Sequence, residues 1–306
     1  MMQTRLLLDE LRLATVCSGA RCPNLPECWS RHTATFLILG RHCTRACRYC
    51  AVDGGEPDPV EPDEPERLAE AAAAMGLRHV VITSVTRDDL ADEGAGHYAR
   101  CVQAVRGRLA GAIVETLTPD FHARGECIEP VLAAGVAIFN HNVEMVRRLT
   151  PALRPQADYD RSLRVLAIGR ERLDASGDGR AARRFTKSGL MIGFGETRGE
   201  IIDTLSDLRA VGCEIVTIGQ YLQPSPAHVP VARYYPPGEF DELGAEARAM
   251  GFVSVSAGPF VRSSYNAAEV YAQARGSLTT EPQSHREDFH EGPPRTTKVH
   301  QAEGFS

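Results

Sequence analysis

The sequence predicts an α/β fold, a partial (β/α)6-type TIM barrel with an extension at each end. Three observations predict it. Strand-like apolar runs alternate with helix-like stretches, which requires a parallel sheet with right-handed crossovers. Four of the helix-like stretches run into Gly76, Gly135, Gly212 and Gly251 just before a strand, as a left-handed C′ residue would. Polar clusters follow the strand runs, where barrels hold their sites.

The strand runs cover 34–39, 79–83, 112–117, 136–139, 189–192 and 214–218, with a weaker one at 252–256. The helical stretches cover 65–75, 96–109, 126–134, 158–173, 198–211 and 239–250. Six units and a weak seventh strand fit a partial barrel better than a full eight. Residues 1–33 show no strand signal and hold three cysteines, so an irregular segment organised by metal is expected there. The barrel then occupies 34–257, a short segment 258–276 follows, and the polar stretch 277–306 reads as a disordered tail.

Composition excludes several classes. The chain has 306 residues, 43% hydrophobic and 24% charged, so it can bury a real core. Its net charge of −6 offers no basic field for nucleic acid or anionic lipid. No apolar run approaches the roughly 20 residues of a membrane span. Three leucines near the start run at once into Asp9 and Glu10, unlike a signal or transit peptide. A reducing cytoplasm is the expected compartment, and a monomer the expected state, since no heptad pattern appears.

Six of the nine cysteines lie between Cys17 and Cys50, a cluster that points to metal rather than disulfides. Cys43, Cys47 and Cys50 form a C-x3-C-x2-C run just after the first strand. Three thiolates on one loop can hold three irons of a [4Fe–4S] cube, leaving the fourth iron open. Structural zinc prefers four ligands, and only His42 lies close enough to add one. Cys17, Cys22 and Cys28 form a second trio, stiffened by Pro23 and Pro26 and also lacking a fourth cysteine. Zinc or a non-catalytic iron–sulfur protein remains an alternative at this point. Cys101, Cys127 and Cys213 lie in helix-like contexts and read as packing residues.

The first trio, with Tyr49 before its last cysteine, resembles the radical S-adenosylmethionine (SAM) superfamily and its fold. The second trio and Arg262-Ser263-Ser264-Tyr265 near the other end extend the resemblance to the lipoyl synthase family. CPNLPECW, VITSVTRDDLADEGAGHY, FNHNVE, TKSGLMIGFGET and GPFVRSSY carry it over about residues 12–275. The resemblance implies two [4Fe–4S] clusters. One is held by Cys43, Cys47 and Cys50 and chelated by SAM; the other is held by Cys17, Cys22, Cys28 and a serine, by position Ser264 rather than Ser263. A hard oxygen suits iron less well than thiolate, so that iron is expected to be labile.

The implied reaction inserts sulfur at C6 and C8 of an octanoyl group held on a lysine of a lipoyl carrier domain. Neither carbon is acidic, so radical chemistry from SAM would be required. The implied carriers are the E2 of a 2-oxoacid dehydrogenase or the glycine cleavage H protein. An electron donor such as flavodoxin or ferredoxin and an iron–sulfur assembly or carrier protein are further implied partners. A sulfur-inserting or methylthio-transferring radical SAM enzyme with another substrate is the runner-up.

Thr83 and Ser84, Asn142 and Glu144, and Lys187 stand at strand ends and are expected at SAM. Among 34 basic residues only Lys187 and Lys298 are lysines, which singles Lys187 out. Ser188 and the Gly193-Phe-Gly195-Glu196 fragment are expected to flank the fifth strand with it. Arg154 and Arg262 read as surface arginines that could steer an acidic carrier. Three features depart from the family: Met145 where threonine is usual, only sixteen residues before Cys17, and the stretch LDASGDGRAARRF before Thr186.

Overall fold

A computed structural model describes residues 2–19, 22, 24–30, 34–176 and 184–277. The chain begins with helix α1 (Met2–Glu10), a two-residue strand β1 (Ala14–Thr15), and short helices α2 (Val16–Gly19) and α3 (Leu25–Ser30). Six βα units follow. They are β2 (Ala34–Ile38) with α4 (Glu64–Ala74), β3 (His79–Ser84) with α5 (Ala95–Arg108), and β4 (Ile113–Leu117) with α6 (Gly125–Ala133). Next come β5 (Ile138–Asn140), with the one-turn α7 (Thr150–Leu153) and the long α8 (Tyr159–Ala175), and β6 (Phe185–Ile192) with α9 (Arg198–Ala210). Strand β7 (Ile215–Gln220), α10 (Pro237–Ala249), β8 (Ser254–Gly258) and α11 (Ala267–Ser277) complete the described chain.

The strands lie in sequence order in one eight-stranded sheet. Strand β1 pairs antiparallel with β2, and β2 to β8 pair parallel throughout. No pairing joins β8 back to β2, so the barrel is partial, as the alternation of six units predicts. Val80, Val81 and Ile82 are fully buried, as expected of a parallel strand covered on both faces. The four glycines expected after helices all have φ between 62° and 93°, the left-handed conformation that ends a helix. Thr197 and Glu200 form a reciprocal capping box that starts α9.

Three expectations need correction. The described part of 1–33 is largely helical rather than irregular, because Leu8 and Leu13 bury into the core beside β2. Strand β6 begins at Phe185, so Lys187 and Ser188 lie inside it rather than at its edge. Polar residues can occupy that strand because partners meet them on both faces: Lys187 Nζ reaches Glu115 Oε1 at 2.8 Å inside the barrel, and the Thr186 hydroxyl donates to Gly212 O at 3.0 Å in the turn before β7. Helix α11 was not anticipated; Val270 and Ala274, one turn apart, pack on Ile138, Phe185 and Ile215. The tail expected after residue 277 and residues 177–183 of the departing linker lie outside the described residues. Among those described, no helix is long and apolar enough to cross a membrane.

Candidate functional site

The 39–63 loop between β2 and α4 carries the first cysteine trio and is fixed by a dense set of bonds. The Thr86 and Arg45 amides both donate to Cys43 Sγ, at 3.3 and 3.4 Å. Arg45 is the loop's anchor. Its guanidinium grips Asp120 with two 2.8 Å bonds and Asp88 with two more, tying the loop to the ends of β3 and β4. Asp120 is fully buried, and Arg45 holds its carboxyl well below the usual range against the cost of burial. Gln156 clamps the same loop, accepting from the Ala46 amide at 2.8 Å and donating to Thr44 O at 3.1 Å. His228, beyond β7, reaches the Cys50 carbonyl at 3.0 Å.

The second trio is stitched to the C-terminal segment. The Asn24 amide donates to Phe260 O at 2.6 Å, Tyr265 Oη to the Glu27 carboxylate at 3.4 Å, and Thr35 Oγ1 to Ser264 Oγ at 2.8 Å. Thr35 also hydrogen-bonds Cys17, and Arg262 faces Cys22. Residues more than two hundred positions apart therefore form one wall.

That wall and the Tyr49–Ala51 end of the first trio's loop border a cavity of about 430 Å³ at the C-terminal ends of the strands. Cys17, Cys22, Cys50, Asn142, Glu144 and Ser264 all line it, with Leu117, Leu190 and Leu222 among its apolar residues. A second cavity of about 560 Å³ opens on the outer side of the loop, against Cys47, Cys50, Arg48 and His228.

Burial pushes the Cys17, Cys47 and Cys50 thiols up, Cys50 to about 12. Such thiols shed their protons when a metal takes them. Burial likewise raises Glu144, against the nearby Arg154 guanidinium and the Asn142 amide. Glu144 has φ 68°, a strained value for a non-glycine residue and one often found at sites.

Arg154 corrects the surface reading: it is 9% exposed, hydrogen-bonds Cys47, and lies against Glu144 and Tyr49. Arg262, half-buried on the cavity wall, is likewise no surface steering group. A buried arginine facing a cysteine is legible only once the fold is known. Met145 is fully buried against Leu153, Phe194 and Tyr221, which accommodate it as packing. Cys101, Cys127 and Cys213 are buried packing residues.

Among the described residues, Thr83, Ser84 and Lys187 do not line the cavity. The Thr83 hydroxyl donates to Leu117 O at 2.9 Å, and Lys187 Nζ lies 2.8 Å from Glu115 Oε1 inside the barrel. Glu196 turns back to accept from the Gly193 and Phe194 amides, so the GFGE fragment shapes its own turn. Asp88, Glu93 and His122 offer ligand atoms within 4.8 Å of one another. Arg45 and Arg124 already neutralise the two carboxylates, which leaves little charge for a cation.

Residues 37–208 match the radical SAM superfamily. The chain is 53% identical to lipoyl synthase 2 of Gloeobacter violaceus over 263 residues, 86% of this chain and 88% of that protein. It is 51% identical to the lipoyl synthase of Thermus thermophilus over 271 residues, 88% and 81% of the two chains. Among solved structures, the [FeFe]-hydrogenase maturase HydG shares the fold with a TM-score of 0.54 at 16% identity, over 72% of this chain and 50% of that one. Streptococcus suis SuiB bound to S-adenosylmethionine gives 0.51 at 10% identity, over 74% and 50%. With half its residues shared with curated relatives over most of its length, this chain belongs to the lipoyl synthase family of radical SAM enzymes.

Proposed function

We infer that the chain inserts two sulfur atoms, at C6 and C8, into an octanoyl group carried on a lysine of a lipoyl carrier domain. One observation carries this reading: cysteines of both trios, Ser264, Asn142 and Glu144 share the wall of a single cavity with an apolar lining. Family membership brings an iron–sulfur cluster and SAM. The finer assignment is two [4Fe–4S] clusters, held by Cys43, Cys47 and Cys50 and by Cys17, Cys22, Cys28 and Ser264. When bound, these groups supply the one-electron chemistry and the sulfur.

The remaining work falls to the chain's own residues. Asn142 and Glu144 would bind the polar end of SAM, with Thr83 and Ser84 shaping the neighbouring end of β3. Lys187 would act on that pocket through Glu115 rather than by contact. Leu117, Leu190 and Leu222 would bury the acyl chain and exclude water, which suits a carbon that no base could deprotonate. The Ser264 hydroxyl, a weaker iron ligand than thiolate, would let its iron go as sulfide leaves. Its 2.8 Å bond from Thr35 supports Ser264 over Ser263, whose hydroxyl is spent on two asparagines.

The division into a cluster-binding segment 1–33, barrel 34–257, serine-bearing segment 258–276 and tail 277–306 follows these roles. The partners would be an octanoylated E2 or H-protein carrier, a flavodoxin or ferredoxin, and an iron–sulfur carrier protein. Nine free cysteines suit a reducing cytoplasm. The test is anaerobic: reconstitute iron and sulfide, add SAM, reductant and an octanoyl-lysine peptide, and weigh the peptide. Two added sulfurs are expected. Deoxyadenosine without sulfur on the peptide would move the substrate elsewhere, and the absence of both products would overturn the reading.

A further inference from the structure

A directed line of hydrogen bonds runs from the barrel interior to the cavity. It starts at Glu115, fully buried on β4, whose Oε1 accepts from Lys187 Nζ and from Asn140 Nδ2, both at 2.8 Å. The other Asn140 Nδ2 proton goes to Ser263 Oγ at 2.8 Å. Ser263 donates in turn to Asn142 Oδ1 at 3.0 Å, and Asn142 Nδ2 to Glu144 Oε1 at 3.1 Å. Strand pairing builds the start of this line, since Asn140 on β5 stands opposite Lys187 on β6.

The line runs between two carboxylates, and its polarity at the Asn140 end is set by Glu115. A carboxylate can only accept, so an ionised Glu115 takes the Asn140 NH2 group and fixes its amide. Ser263 must then accept from Asn140 and spend its own proton on Asn142, whose NH2 is left for Glu144. Among the described residues Asn140 Oδ1 is buried without a partner, a cost that follows from holding the NH2 side elsewhere. A neutral Glu115 could donate to that oxygen and free the Asn140 amide to turn away from Ser263. Lys187, fully buried, supplies the compensating charge at Oε1, and the His79 ring lies 3.4 Å from Oε2.

We propose that Lys187 and Glu115 are positioning residues: their buried ion pair sets the orientation of Asn140, Ser263 and Asn142, and so holds the Arg262–Tyr265 segment against the Asn142–Glu144 turn. Only the statement that this turn meets SAM rests on the function proposed above. Lys187 is thereby explained as a lysine rather than one of the chain's many arginines: a compact ammonium fits a site with one acceptor, and a guanidinium fork does not.

The test is amide hydrogen exchange on the anaerobically reconstituted protein. It reads His141 and Glu144, whose amides bond Lys187 O and Gly189 O, and Val261 and Tyr265, bonded within their own segment. In Lys187→Met both segments should exchange about tenfold faster or more, as the buried carboxylate loses its ammonium and keeps only the Asn140 amide and the His79 ring, 3.4 Å from Oε2. Lys187→Met with Glu115→Gln should return both to near parental rates. Val102→Ala, a core truncation on α5 away from the line, should lower the melting temperature yet leave both segments protected. Equal loosening in Val102→Ala, no loosening in Lys187→Met, or a double variant as fast as the single would each overturn the proposal. If Lys187→Met does not fold, Glu115→Gln against the same double variant gives the same contrast. Unchanged SAM binding in Asn142→Ala would remove the cofactor assignment alone, with this contrast intact.

Discussion

Thr35 Oγ1 lies 2.8 Å from Ser264 Oγ, joining the first parallel strand to a segment 229 residues further on. The bond brings the one non-cysteine ligand candidate to the side of Cys17, which Thr35 also contacts. Thr35→Val keeps the shape of this buried side chain and removes the hydroxyl. It should cost about 1 kcal/mol of stability, measured by urea unfolding, and lower the iron retained after reconstitution. Ser264→Ala should lose sulfur insertion while still forming deoxyadenosine. A Ser264→Ala protein with full sulfur insertion would remove Ser264 from the ligand set.

Gly219 lets the C-terminal segment pass directly over β7. A Cβ built there would stand 2.1 Å from Val261 O, a backbone atom that cannot rotate aside. Gly219→Ala should therefore push Val261 and its neighbours outward, taking Ser264 from Thr35 while the barrel stays folded. The expected result is unchanged far-UV circular dichroism with sulfur insertion lost. Retained insertion at the parental rate would show that the close approach is not needed.

The Arg45–Asp120 pair tests how firmly the cysteine loop is held. Arg45→Met leaves Asp120 buried with the 2.9 Å contact from Arg161 and the His122 amide at 3.2 Å. Breaking a buried pair from one side costs about 3–5 kcal/mol, and Arg161 should keep this case near the lower figure. Urea unfolding of the single variants and of Arg45→Met with Asp120→Asn reads the coupling, which should exceed about 1 kcal/mol. A coupling near zero would mean that Gln156 and His228 hold the loop without Arg45.

What was legible in the sequence and what was not divides along physical lines. Both cysteine trios and the alternating units are local patterns, and the parallel sheet with its six units follows from them. Helix α11 also carried a local signal, in the one-turn spacing of Val270 and Ala274 within an alanine-rich stretch. The apolar run marks only the second half of strand β6, and Lys187 looks out of place until Glu115 faces it. The same holds for Arg154. An arginine is a surface residue by default, and only tertiary structure brings Cys47, Tyr49 and Glu144 around it. Partners far apart in sequence decide the fate of polar residues, and one chain read alone does not reveal them.

His141 predicts how stability depends on pH. Its Nδ1 lies 2.9 Å from Thr118 O, which can only accept, so Nδ1 carries the proton of the neutral ring. Nε2 is buried without a partner, with Arg154 and Arg45 nearby, and burial first and these cations second lower the pKa to about 4. Asp120 opposes this shift but does not overcome it. The folded state thus binds a proton less readily than the unfolded one, whose histidine titrates near 6.5. Stability from His141 is fully present above about pH 6.5, falls as the pH drops towards 4, and levels off below. The loss should amount to about 3 kcal/mol over that window. His141→Asn keeps a donor for Thr118 and removes the titration, so its stability should be flatter between pH 6.5 and 4. Glu115, lowered to about 2 chiefly by Lys187 against burial, acts further down and loses its contribution only from about pH 4.5 towards 2. Urea unfolding at half-unit pH steps separates the two, and parallel curves for the parent and His141→Asn would exclude His141 as the source of the upper slope.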